Sequence, residues 1–144
     1  MMSKKAKYAL KALIVLADEY GKGPVLISEI CKREDLPKKF LEAILLELRK
    51  SGLVQSRKGK GGGYSLRLNP KDITMANIIR LTDGPIAPMS CVSINYYAKC
   101  DDCLDEKTCR LRKLMQELRD AKLRVLEGMN LADFPRSEEI LVEL

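Results

Sequence analysis

Four of the five cysteines, Cys91, Cys100, Cys103 and Cys109, fall within 19 residues (109 − 91 + 1), while Cys31 stands apart. Thiolates are soft ligands that favour iron–sulfur clusters and zinc. Four of them can close a tetrahedral zinc site or hold a cubane cluster. The cysteines are separated by eight, two and five residues, so there is one Cys-x-x-Cys pair, at 100–103, where a paired zinc site has two. Asp102 or Asp105 can add an oxygen ligand. A third chemistry needs no metal: thiols respond directly by forming sulfenate or disulfide. The chain has no histidine, which excludes histidine ligands, histidine acid–base catalysis and Ser-His-Asp triads. No general base accompanies the cysteines, so an enzyme is not expected. Cys31 lies in a short helical stretch and reads as core.

The elements that must position this cluster come from charge and periodicity. Residues 1–71 carry 16 Lys/Arg and 7 Asp/Glu (16 − 7 = +9), and residues 72–144 carry 10 and 13 (10 − 13 = −3). A basic half-chain suits a polyanion such as nucleic acid. With 46% apolar residues the 144-residue chain can bury a core. No apolar run approaches the roughly 20 residues of a membrane span, and no signal-peptide core follows the basic start. The expectation is a cytoplasmic protein with no membrane partner.

Tyr8, Ala9, Ala12, Leu13, Leu16 and Ala17 recur at helical spacing over 4–20. A short helix is expected over 28–35 with Ser28 as N-cap, and a longer one from Pro37 to about Lys50. Proline suits the first position of that helix. Its apolar stripe is Phe40, Leu41, Ile44, Leu45 and Leu48, and Ser51-Gly52 ends it. Two helices joined by a tight break, the second longer and partly basic, form a helix-turn-helix pattern. Strands are expected at 53–57 and 64–68, with KGKGGG (58–63) between them. This is a basic hairpin wing directly after the second helix. Arg57, Lys58 and Lys60 can reach phosphates, and Gly61 to Gly63 let the backbone come close. A nucleotide-binding loop needs Gly-Lys-Ser/Thr leading into a helix; here the glycines lead into Tyr64 and a strand.

A helix over 74–83 is capped by Thr74 and ended by Gly84-Pro85. Residues 85–105 read as an ordered cysteine loop. A long helix follows from about Glu106 to Glu127, with Leu111, Leu114, Met115, Leu118, Val125 and Leu126 at three- and four-residue spacing. A domain this small cannot cover so long a stripe, so a second copy of the chain is the expected cover. The alternative is that the helix folds back on the first one. The acidic tail from Leu131 reads as peripheral.

The run GLVQSRKGKGGGYSLRLNPKDITMANIIRLTDGP (52–85), with YALKALIVLA (8–17) and FLEAILLELRKSGLV (40–54), resembles the Rrf-type (IscR-, NsrR- and CymR-like) family of winged helix-turn-helix transcriptional regulators. The resemblance covers roughly residues 4–130. It implies a homodimer that places the second helix of the motif in the major groove and the wing near the minor groove, with long C-terminal helices crossing at the interface. Cluster-binding members carry three cysteines separated by two five-residue gaps. The present spacing departs from that, and a fourth thiolate can replace the non-cysteine ligand of those members.

The expected fold is therefore mainly α with a small β-hairpin wing. The divisions are a DNA-binding domain (1–84), a cysteine sensor loop (85–105), a dimerisation helix (106–130) and a tail (131–144). The expected partner is a pseudo-palindromic double-stranded DNA operator. Lys4, Lys5, Lys7, Lys38, Lys39, Phe40, Glu42, Arg49, Arg57, Lys58, Lys60, Gly61, Gly62 and Tyr64 are the candidate contacts. Cys91, Cys100, Cys103 and Cys109 are the candidate ligands of an iron–sulfur cluster, of zinc, or of nothing in an aerobically prepared sample. Other readings are a thiol-switch or small-molecule-responsive regulator, a zinc-stabilised interaction module and a small redox enzyme.

Overall fold

A computed structural model describes residues 2–136, 139 and 140. Helix α1 (Lys4–Asp18) is the centre of the core. Ala6, Ala9, Leu10, Ala12, Leu13, Val15 and Leu16 are all buried, because α2 (Ile27–Glu34), α3 (Lys38–Lys50) and α4 (Met75–Asp83) pack around it. The many alanines permit close approach of the flanking helices. Each fully buried leucine, such as Leu13 or Leu41, contributes about 1.5–3 kcal/mol. Ser3 caps α1 by accepting from the Ala6 N–H (3.0 Å), and its own N–H donates to Asp83 (3.0 Å), which ties the start of α1 to the end of α4.

The helix-turn-helix pattern is present, with two local differences. The N-cap of α2 is Leu26, and Ser28 lies within the helix. Val25 is bridged to Tyr64, which fixes the chain direction just before Ile27. The break between α2 and α3 begins at Asp35, which is left-handed (φ 52°), and Pro37 is the N-cap of α3, one place before its first residue. Leu41, Ile44, Leu45 and Leu48 are the buried stripe of α3. The end of α3 is closed as Gly52 turns left-handed (φ 85°) and the Leu53 N–H donates to the Leu48 carbonyl (3.1 Å).

Strands β1 (Val54–Arg57) and β2 (Gly63–Leu66) form an antiparallel hairpin in the register Val54↔Leu66 to Arg57↔Gly63. The other edge of β2 bonds Val25 on both sides, Val25 N–H to the Tyr64 carbonyl (2.7 Å) and Tyr64 N–H to the Val25 carbonyl (2.8 Å). Gly62 and Gly63 are demanded by this arrangement. A Cβ on Gly62 would lie 2.2 Å from the Arg57 carbonyl oxygen, and one on Gly63, at φ +139°, would lie 2.4 Å from that of Val25. Gly61 (φ +73°) faces open space. Of the three glycines expected to let the backbone come close to phosphates, Gly62 and Gly63 are needed by the hairpin itself, and Gly61 has open space beside it.

Thr74 caps α4 in a capping box with Asn77. Helix α5 (Arg110–Gly128) starts four residues later than expected, because Asp105 accepts from the Lys107 N–H (3.0 Å) and holds 105–109 in turns. It packs on α4 and on the 3₁₀ turn Ser90–Val92, so the alternative of folding back on α1 is not the main packing. Leu123 is its buried residue, and Leu126 is half-buried against the same core. The C-terminal end of α5 is clamped. Met75 N–H donates to the Met129 carbonyl (2.9 Å), Leu131 N–H to that of Ile73 (3.0 Å), and Arg80 pairs with Glu127 (3.0 Å). Leu131 is 2% exposed and Phe134 half-buried, so the beginning of the tail is docked rather than peripheral. Residues 137, 138 and 141–144 of the tail lie outside the described residues.

Candidate nucleic-acid interface and cysteine loop

The solvent face of α3 presents Lys38, Lys39, Glu42, Arg49 and Lys50. Arg49 reaches the hairpin, donating to the Ser56 hydroxyl (3.1 Å). Beside it an open groove of about 430 Å³ is lined by Arg49, Lys58 and Arg67, with Val54, Gln55 and Ser56 as its floor. Among the described residues no carboxylate pairs with Lys38, Lys39, Arg49, Lys50, Arg57, Lys58, Lys60 or Arg67. Eight like charges on a helix face and the adjoining hairpin repel one another, a pattern that suits a polyanion.

The structure sorts the remaining candidates. Lys4 and Lys7 are exposed on α1, while Lys5 is engaged with Glu47 of α3 at 2.5 Å. Phe40 is 42% exposed and meets the ring of Tyr8 edge-on (5.4 Å between centroids), so it belongs partly to the α1–α3 seam. Tyr64 packs against the core, and its backbone is spent on Val25. Arg67 and Gln55 were not among the sequence candidates. The alternation of YSLRL was the available signal, since Leu66 faces inward and places Arg67 outside.

The cysteine loop is folded on itself. Cys91, 4% exposed, sits in the 3₁₀ turn Ser90–Val92. The Ala98 N–H returns to the Ser90 carbonyl (3.2 Å), and Cys103 N–H donates to the Cys100 carbonyl (3.2 Å). All five cysteines are free thiols. Hydrogen bonding to Cys91 holds the Cys100 thiol above the usual thiol range, helped by desolvation and the charges of Cys91, Asp102 and Cys103. Desolvation raises Cys103 as well, with the Cys109 charge next in weight. Among the described residues, no three Cys, Asp or Glu side chains stand at metal-binding geometry. The Tyr97 hydroxyl donates to Glu106, which pushes the phenol pKa upward.

Helix α5 supports the loop with two arginines. Arg119 donates to the Val92 carbonyl (2.7 Å), and Arg112 reaches the Cys91 carbonyl at 3.5 Å. The Arg112 Nε is buried with no acceptor among the described residues. By donor chemistry, four thiols suit a soft thiolate–metal centre, and the arginine that reaches the Cys91 carbonyl carries the unmatched buried N–H.

On the opposite side of α5 the expected stripe is exposed: Leu111, Leu114, Leu118 and Val125 are each about half exposed or more. Met115 and Leu126, grouped with them in the sequence, are half-buried, and Leu126 packs against the chain's own core.

A family model for Rrf2, described as an iron-dependent transcriptional regulator, matches residues 2–136. The chain belongs to the Rrf2 family. Within it, an rrf2-like HTH-type transcriptional regulator of Rhodobacter capsulatus is 46% identical over 136 residues, covering 92% of this chain and 91% of that protein. The solved structure of CymR, the global cysteine regulator of B. subtilis, superposes with a TM-score of 0.77 at 34% identity and covers 92% of this chain and 94% of its own. The T. potens IscR structure does so with a TM-score of 0.72 at 31% identity, covering 92% and 84%. As an Rrf2-family protein the chain is a helix-turn-helix transcriptional regulator and not an enzyme. No helix among the described residues is long and apolar enough to cross a membrane.

Proposed function

We propose that the chain is a cytoplasmic homodimeric repressor that binds a pseudo-palindromic DNA operator and holds an iron–sulfur cluster on Cys91, Cys100, Cys103 and Cys109. The observation that carries the DNA reading is the set of eight cations without carboxylate partners on α3 and the hairpin. Lys38 and Lys39 open α3 and meet phosphate or guanine. Glu42, exposed one turn on, accepts from cytosine N4. Arg57, Lys58, Lys60 and Gly61 follow the backbone at the wing, and Lys4 and Lys7 do so from α1. Leu111, Leu114, Leu118 and Val125 meet their counterparts in a second copy. That two-fold symmetry sets half-sites one or two helical turns apart.

The cluster reading rests on the thiol set and the unmatched Arg112 Nε. When bound, such a cluster supplies a centre that oxygen or nitric oxide attacks. The chain's own residues bury Cys91 and bracket its turn from α5. Anaerobic purification with iron, sulfide and zinc analysis tests this: a broad absorption near roughly 400 nm is expected, and a colourless protein with stoichiometric zinc refutes it. Operator binding by fluorescence anisotropy across a salt series tests the DNA reading, and affinity independent of salt refutes it.

The influence of Cys91 on the Cys100 thiol supports a second reading, a metal-free switch between these two free thiols. Two thiols and one hydroperoxide give a disulfide, water and the reduced hydroperoxide (alcohol or water). A Cys91–Cys100 bond found by mass mapping in peroxide-treated, metal-free protein, with altered operator affinity, is its test.

A further inference from the structure

We propose that Arg112 and Arg119 are positioning residues that couple the state of the cysteine loop to α5, Arg119 as the fixed contact and Arg112 as the one that changes. The inference rests on the regulator reading above, in which the loop holds a thiolate-bound metal centre.

The two residues are seven apart, two turns of one helix, and so lie on one face about 10 Å apart along the axis. That face is distinct from the exposed leucine stripe. Their guanidinium groups reach consecutive carbonyls, those of Cys91 and Val92, in the turn that carries the first cysteine. A turn held at two successive peptides by one rigid helix cannot shift without that helix responding.

The two contacts are unequal. Arg119 makes a short bond to Val92 (2.7 Å), its side chain is 18% exposed, and its remaining donor capacity meets the neighbouring Asp120 (2.9 Å). Arg112 is 3.5 Å from the Cys91 carbonyl, at the limit of a hydrogen bond, and its Nε–H is buried without an acceptor. A buried donor left unmatched is unfavourable and is relieved by any anionic acceptor brought within reach. Filling the loop with a thiolate-bound metal supplies negative charge on the Cys91 side. Arg112 then turns toward it, while Arg119 keeps the turn attached to α5, and the change is transmitted to the helix.

The probe is Zn²⁺ alone, which the thiol set accepts without redox chemistry. Operator affinity is measured anaerobically for full-length protein, zinc-free and zinc-loaded, in wild type, R119Q and R112Q. Zinc affinity comes from competition with a chromophoric chelator, and circular dichroism checks the fold. In wild type the two operator affinities are expected to differ by about 5- to 150-fold, the usual range of allosteric coupling. In R119Q the ratio falls to within about twofold of one while zinc still binds stoichiometrically. If R119Q fails to fold, R112Q, which gives up only the longer bond, reads the same ratio. A wild-type ratio above five that persists in the folded variants overturns this inference and leaves the sensing reading intact. A wild-type ratio of one overturns both.

Discussion

Replacing Gly63 by alanine should damage the hairpin far more than the same change at Gly61, although both lie in one glycine run. At Gly63 the backbone φ of +139° is a region that L side chains rarely occupy, and the new Cβ would sit 2.4 Å from the Val25 oxygen and 2.5 Å from its carbonyl carbon. Backbone strain of this kind costs about 1–3 kcal/mol. Relief by separation breaks the two Val25–Tyr64 hydrogen bonds, each worth about 0.5–1.5 kcal/mol. Together the loss is about 2–6 kcal/mol, a large part of a stability of about 5–15 kcal/mol. At Gly61 the φ of +73° is left-handed but nothing lies within 4 Å of the new Cβ, so the loss is about 1–2 kcal/mol. Urea unfolding of both variants, with hydrogen exchange at the Val25 and Tyr64 amides, measures the difference. If G63A and G61A unfold within about 0.5 kcal/mol of each other and the two amides stay protected, the account of the hairpin edge is refuted.

Three further outcomes are expected. K58Q/K60Q should lower the slope of log affinity against log salt by about 0.9 per lost phosphate contact, similarly for every DNA sequence, and an unchanged slope removes the wing from the interface. L114E/L118E, at side chains about half exposed, should leave the fold intact and yield monomers in sedimentation; an undiminished mass moves the subunit contact elsewhere. T74A removes the cap of α4, whose hydroxyl accepts from the Asn77 N–H at 3.2 Å, and should cost about 0.5–2 kcal/mol in a thermal or urea melt.

Periodicity made the helices readable because the stripes of α3 and α4 are local facts of spacing. The wing was readable because glycine, charge and alternation coincide between 53 and 68. The errors occurred where distant segments decide. Ser28 is a good capping residue, yet α2 starts by its own rule because Val25 is bound to Tyr64, 39 residues away in the chain. The long-helix stripe mixed two faces and left out Leu123, since Leu126 joins Leu123 on the core side and Leu118 and Val125 do not. Leu131 looked like the start of a tail because a three-residue contact with Ile73 has no repeating pattern. Four thiols were plain in the sequence. That two arginines of α5 reach the turn beneath Cys91 was not, because a charged residue on a helix most often faces water.

The clamp at the C-terminal end of α5 has a mechanical consequence. With Leu123 buried and Met129 and Leu131 bonded to the α4 side, the helix has a fulcrum near its last turns. From Leu123 back to Arg110 it extends roughly 20 Å. A small rotation about that point is magnified along the arm, which carries Leu111, Leu114 and Leu118. The cysteine loop attaches to the same arm through Arg112 and Arg119, so in the proposed sensor it would act with a long moment. In the proposed two-fold pair, one arm's swing would be mirrored by the other, and the distance between the two proposed reading heads would change by the sum.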